Sequence, residues 1–229
     1  GWAWSLVRPL ALGLILSFAL GKVLGTGITA EFLLAGLFPW FWFQSSVQAG
    51  AGTFVGNGGL LKKVRFPRAV LPLSVVLGNT LQFLFSLPVL VGLLLVNGNG
   101  PSTAWLALPI VFALQLLLTV GLAFFVGSVT VFFRDLEHIV DVLLNLVFYA
   151  TPIIYSYQLQ VEPVLAKYDI AWAGVIFKAN PLTQFVDASR SLFYSQTLPS
   201  LASIAYMTVV AILMFLVGWW FFNRKARMA

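Results

Sequence analysis

The sequence predicts an all-α membrane protein with six crossing helices, and three observations carry that prediction. Of 229 residues, 60% are hydrophobic and only 9% charged, where a soluble domain carries roughly a quarter. The apolar residues come in uninterrupted runs and not in the stripes of an amphipathic fold; about 20 such residues cross some 30 Å of hydrocarbon. The basic residues behind the net charge of +6 gather at the ends of these runs, which is where topology-setting charges belong, and not on a nucleic-acid-binding face. The chain reads as a single transmembrane domain, 1–229.

Taken in order, the spans are about 2–24, 32–55, 69–96, 102–133, 139–157 and 198–222. The first is interrupted by Arg8 and Pro9, and the second carries no charge. No residue between Ala69 and Phe133 is charged; that stretch is too long for one helix, and the turn cluster Asn97, Gly98, Asn99, Gly100, Pro101 divides it. The fifth span has Asp141 near its start, and the sixth runs into Asn223, Arg224, Lys225, Ala226 and Arg227. Six crossings put both termini on one side. That side holds Arg8, Lys62, Lys63, Arg65, Arg68, Arg134, Arg224, Lys225 and Arg227. The other holds Lys22, Lys167, Lys178 and Arg190, balanced by Glu31, Glu162, Asp169 and Asp187. The lysine and arginine bias makes the first side cytoplasmic. Gly1 opens almost inside a hydrophobic run, so a cytoplasmic segment is expected ahead of it.

Several chemistries are excluded. The chain has no cysteine, which removes disulfides, thiolate catalysis and cysteine metal sites. His138, in the cytoplasmic turn, is the only histidine, so a metal site or a serine hydrolase triad has no usable imidazole elsewhere. There is no G-x-x-x-x-G-K-[ST] pattern; Gly21-Lys22 is followed by Val23 and lacks the first glycine, so this polypeptide does not hold ATP in a phosphate loop. Spans two, three, four and six contain no ionisable group, which argues against a proton relay or an ion-coupled carrier. An integral membrane enzyme acting on lipid-linked sugars would need acids at the membrane edge. Only Asp135, Glu137 and Asp141 cluster, beside Arg134.

Three segments do not fit a plain bundle. In 57–68, Leu60, Leu61, Val64 and Phe66 interleave with Lys62, Lys63, Arg65 and Arg68, as in a short helix lying on the membrane with a basic side. Headgroup binding and docking of a cytoplasmic partner both satisfy that pattern. Arg134, Asp135 and Glu137 read first as caps for the adjoining helices, and second as a further contact for the same partner. Segment 158–196 is external, and its apolar stretches 170–177 and 181–194 are too short to cross, as in re-entrant or interfacial half-helices. Asn180 and Pro181 break them apart, and Asp187 with Arg190 reads as a solvated i,i+3 pair. The aromatic residues Trp40, Phe41, Trp42 and Phe43, with Phe148, Tyr149, Tyr155 and Tyr157, point in different directions round their helices. Most of them therefore face lipid or neighbouring helices, with some left to line a pathway.

Six stretches in register carry a resemblance: Trp4 and Pro9; Gly36-Leu37-Phe38-Pro39-Trp40-Phe41; Leu61-Lys62-Lys63-Val64-Arg65-Phe66-Pro67-Arg68 with Leu71-Pro72; Phe132-Phe133-Arg134-Asp135-Leu136; Thr151-Pro152-Ile153-Ile154-Tyr155; and Asn180-Pro181-Leu182. In these the chain resembles the membrane subunits of type-two ABC exporters that move lipid-linked polysaccharides or teichoic acids. The resemblance implies a homodimer around a central conduit and two docked ATPase subunits that bind ATP and Mg, with no catalytic residue, metal or cofactor in this chain. It makes 57–68 a coupling helix docking through Leu60, Leu61, Lys62, Lys63, Arg65, Phe66 and Arg68, with Arg134, Asp135 and Glu137 a second docking or capping set. It makes 158–196 a pair of external gate helices, with Asn180, Pro181, Asp187 and Arg190 in the gate. Trp40, Phe41, Trp42, Phe43, Tyr149 and Tyr155 match pathway-lining positions. The expected cargo is an undecaprenyl-linked glycopolymer, wall teichoic acid first and an O-antigen or capsular polysaccharide as the alternative. Arg8 departs from the family pattern, which often has an uncharged polar residue there.

Overall fold

The computed structural model describes residues 2–56, 67–133, 135–170 and 172–225, and among these every regular element is helical. Helix α1, Trp2–Leu16, continues in wider π-helical turns over Ser17–Val23. Helices α2, Ala30–Gly56, and α3, Val70–Val96, are each 27 residues long. A tight turn of 3-10 helix, Thr103–Ala107, leads into α4, Leu108–Thr130, and α5 is Leu136–Ala150. Three short helices follow, α6 Glu162–Lys167, α7 Ala173–Ala179 and α8 Pro181–Phe193, before the long α9, Leu201–Lys225. Val70–Val96, Thr103–Thr130 and Leu201–Arg224 are long and apolar enough to cross a membrane. At 1.5 Å per residue α2 is also about 40 Å long, yet it carries Gln44 and Gln48 among its aromatic side chains. Protein surrounds it, which makes those amides tolerable: residues 33–40 are all buried, and α1, α3, α4, α5 and α8 pack around it.

Lipid tails are as apolar as leucine, so helices in a bilayer associate through close packing more than through expulsion of water. Glycines provide that closeness on two faces of α4. Against α9, a Cβ built on Gly218 would lie 1.9 Å from the carbonyl oxygen of Gly121. Against α2, a Cβ on Gly50 would meet the Ala123 methyl at 2.8 Å, and one on Gly127 the Gly50 carbonyl oxygen at 2.8 Å. Stacked rings fill the wider gaps, with Trp42 and Phe83 at 4.6 Å between centroids and Phe112 edge-on to Phe83 at 4.8 Å.

The contacts define two ends of the bundle. At one, here called the loop end, Gln196 Nε2 donates to the Gly100 carbonyl at 2.8 Å and the Asn97 amide donates to the Glu31 carboxylate, so the 97–102 turn, the start of α2 and the segment after α8 are joined. At the other, the basic end, Phe54 of α2 and Phe222 of α9 stack at 6.0 Å, and the Glu137 carboxylate lies against Gly52.

Helix α5 stops short of the apolar run that contains it. The sequence leads to a span through 157, but the helix is 15 residues long and ends at Ala150, about 22 Å from its start. Thr151 is extended, with φ −101° and ψ 136°, because it precedes Pro152 and the proline ring disfavours the helical region there. Pro39 and Pro88, by contrast, lie inside α2 and α3 without ending them, and Gln115 Nε2 donates to the Pro39 carbonyl at 2.8 Å. Of the coupling segment, Leu60, Leu61, Lys62, Lys63, Arg65 and Phe66 lie outside the described residues, as does Arg134; Arg68 is half-buried just ahead of α3.

Candidate functional site

The loop end holds a tightly bonded cluster built around α8. Asn180 is extended, its Oδ1 accepts from the Leu182 amide at 3.0 Å, and Pro181 takes the first helical position, so side-chain capping and a preset φ start the helix together. The other end of the same amide, Asn180 Nδ2, donates to Thr151 Oγ1 at 2.9 Å. Three turns later Arg190 reaches the same segment. Its Nη1 donates to the carbonyls of Pro152 and Tyr155 and its Nη2 to that of Ile153, while Nε donates to the Phe32 carbonyl of α2 at 3.2 Å. The guanidinium carbon lies 3.9 Å over the Phe32 ring, a cation–π contact strengthened by the burial of Arg190. Gly36 leaves room for it: a Cβ there would be 3.0 Å from Nη2.

The solvated-pair reading of Asp187 and Arg190 is therefore corrected. Arg190 is only 5% exposed, because the buried face of α8 runs through Leu182, Val186 and Phe193 and residue 190 falls on that face. Backbone carbonyls, not bulk water, satisfy its charge. Burial lowers Arg190 to about 10, with Asp187 acting in the opposite sense, so it remains a cation at neutral pH. Asp187 is half-buried one turn earlier, and burial pushes its carboxyl up to about 6 against the pull of Arg190.

A second polar contact joins α2 and α5. Gln48 Nε2 donates to Asp141 Oδ1 at 3.0 Å, and one turn later in α2 and one turn earlier in α5 Gly52 faces Glu137, with a Cβ on Gly52 3.0 Å from the Glu137 Oε1. The capping reading needs adjusting here. Asp135 stands at the N-cap of α5, but its side chain makes no capping hydrogen bond. Its backbone carbonyl accepts from the amides of His138 and Ile139 instead. Glu137 does occupy the first turn, where a negative charge favours the helix dipole.

The six aromatic candidates separate by exposure. Trp40 is 1% exposed, donates to Gln44 Oε1 at 3.0 Å and packs on Phe148 and Phe43. Trp42 is buried with its Nε1 donating to Thr80 Oγ1 at 3.0 Å, and Phe43 is buried in the same core as Trp40. These three are enclosed within the chain. Phe41 is half-buried on a cleft of about 50 Å³ between α1, α2 and α3, to which Ser45, Asn79 and Gln82 contribute polar groups. Tyr149 is 66% exposed, and its carbonyl accepts from the half-buried Tyr155 hydroxyl at 2.9 Å. The sequence reading did not anticipate the Gln48–Asp141 bond or the glycine crossings; both join residues far apart in the chain, and no local spacing marks them.

Long apolar helices packed on a buried central helix, with a bonded cluster of short helices at one end and Arg68 and Arg224 towards the other, define a multi-pass membrane protein. The sequence profile of the ABC-2 type transporter family matches residues 1–194, and the chain belongs to that membrane family. It is 34% identical over 227 residues to the O-antigen export system permease protein RfbA of Klebsiella pneumoniae, which covers 98% of this chain and 84% of the relative. The protein of the same name from Myxococcus xanthus is 32% identical over 216 residues, 93% of this chain and 80% of the relative. The polysialic acid transport protein KpsM of Escherichia coli is 25% identical over 229 residues, 95% of this chain and 83% of the relative.

Proposed function

We propose that this chain is the transmembrane subunit of an ATP-driven exporter that carries a lipid-linked polysaccharide of the O-antigen or capsular kind across the bacterial inner membrane. The observation that carries this reading is identity of about one-third to O-antigen export permeases along nearly the whole chain. The expectation of wall teichoic acid finds no support among these relatives, and the polysaccharide alternative replaces it. Two copies of the chain, each with six crossings and both termini cytoplasmic, surround the conduit. The basic end faces the cytoplasm, in keeping with its lysine and arginine residues, and the loop end faces outwards.

In this reading the chain has no catalytic residue, metal or cofactor. Its energy comes from two ATPase subunits that bind ATP and Mg. They dock on 57–68 through Leu60, Leu61, Lys62, Lys63, Arg65, Phe66 and Arg68, with Arg134, Asp135 and Glu137 alongside. Segment 158–196 gates the outer mouth. Phe41, Tyr149 and Tyr155, the pathway candidates not buried within the chain, contact the moving glycan; aromatic faces suit sugar rings because both bury apolar area while leaving hydroxyls hydrated. The test is co-purification of the chain with the product of the neighbouring gene, with Lys62, Lys63, Arg65 and Arg68 intact or all changed to alanine. An ATPase recovered in equal amount, and lost or uncoupled in the fourfold variant, supports the reading. Failure to find any nucleotide-binding partner would sink it.

A further inference from the structure

We propose that Arg190 is the positioning residue of the outer gate: its guanidinium joins α8, residues 152–155 and the first turns of α2 into one body, so that the mouth opens by movement of that body and not by α8 swinging away alone. The proposal rests on the reading of 158–196 as the gate. Its physical basis is the mismatch between what Arg190 touches and what a structural ion pair would touch. Arginine offers five N–H donors in a fixed planar fork. Here the fork is divided between two separate stretches of backbone, Phe32 on one side and Pro152, Ile153 and Tyr155 on the other, while its stem belongs to a third.

A cation that is 5% exposed persists only where acceptors replace its water. Withdrawing any one of the three elements would leave either the charge or a carbonyl unsatisfied, so the elements separate together or not at all. Phe32 covers one face of the fork, and the missing side chain at Gly36 admits its Nη2. Asn180, bonded to Thr151 Oγ1, ties the same segment to the start of α8. Residue 151 is thus held to one end of the helix and residues 152–155 to its other end. The segment after α8 is tied back to the same helix, with the Ser195 amide on the Arg190 carbonyl and the Thr197 amide on that of Ser191.

Hydrogen–deuterium exchange on the purified full chain in lipid nanodiscs tests the clamp, and polysaccharide export by cells tests its use. In R190Q, amides of 32–36, 153–156 and 182–193 should exchange faster together, by about tenfold or more, while α4 stays unchanged. R190K should behave like R190Q, because one ammonium cannot replace a fork spanning four carbonyls. G36A should loosen the same three segments by crowding Nη2, although alanine favours a helix over glycine. If R190Q does not accumulate, R190K and G36A carry the test. Acceleration confined to α8, or wild-type exchange in R190K, overturns the proposal. Export should fall by about tenfold in R190K if the clamped body is the gate; loosened segments with export at the wild-type level would also overturn the positioning role. Lack of polysaccharide export by the unaltered chain would reject the export reading alone, since exchange reports on the clamp without cargo.

Discussion

Replacing Gly218 with alanine puts a methyl carbon where the Gly121 carbonyl oxygen already lies. The built Cβ is 1.9 Å from that oxygen, 2.7 Å from its carbon and 3.0 Å from the Gly121 Cα. Ordinary contact begins near 3.4 Å, so α4 and α9 must separate locally by about 1.5 Å, and dispersion attraction decays steeply over such a gap. Every atom in the way belongs to backbone, so no rotamer change relieves the clash. Overpacking costs about 1–3 kcal/mol, and the upper end applies here. Alanine recovers about 1 kcal/mol of helix propensity, leaving a net loss of about 2 kcal/mol. For a chain of this length that corresponds to a fall in Tm of about 4–8 °C. Intrinsic tryptophan fluorescence of the detergent-purified chain is a suitable readout, since Trp219 is the next residue and its ring packs on Phe124 at 5.4 Å. Gly92 is the control: a Cβ there meets nothing within 4 Å, so Gly92→Ala should leave Tm unchanged or raise it. A Gly218→Ala protein melting within about 1 °C of wild type would refute the backbone-on-backbone crossing.

Two further outcomes follow from the polar groups. Gln48→Leu removes the donor to Asp141 and should destabilise the chain by about 1–3 kcal/mol; in a double-mutant cycle with Asp141→Ala, which removes the acceptor, strict additivity would show that the bond is not made. Asp187 gives a pH signature. Its folded pKa, about 6, lies above the ordinary 3.8, so the folded state holds the proton more tightly than the unfolded one. The stability this contributes is complete below pH 3.8 and lost as pH rises through 6. Asp187→Asn abolishes that loss, so the Tm of the variant minus that of wild type should increase between pH 4 and pH 7; a flat or decreasing difference would contradict the burial of the carboxyl.

The three long apolar helices Val70–Val96, Thr103–Thr130 and Leu201–Arg224 were legible because their information is local: a run of apolar residues is long enough or it is not, and Asn97 to Pro101 or Asn180-Pro181 interrupts it by backbone geometry alone. The end of α5 was legible by the same rule that located Asn180, since Thr151-Pro152 is also a residue steered out of the helix by the proline after it, but the continuing apolar run through 157 concealed it. The inward turn of Arg190 left a fainter trace. Leu182, Val186, Arg190 and Phe193 fall on one helical stripe, and a charge on such a stripe announces burial, but the carbonyls that make burial tolerable lie 35 to 158 residues away. Nor does any spacing in the sequence pair Gly121 with Gly218, or Gln48 with Asp141. Those contacts exist only once the helices are packed.

The glycine crossings also impose an order on biogenesis. Gly50 and Gly127, which bring α2 against α4, are both made well before Gly218, for which Gly121 must wait 97 residues. The α2–α4 crossing can therefore close in the bilayer while the opposite face of α4 is still covered by lipid or by the insertion machinery. Helix α9 arrives later, and because its backbone must come to rest directly on that of α4, its docking has to displace the acyl chains that cover that face.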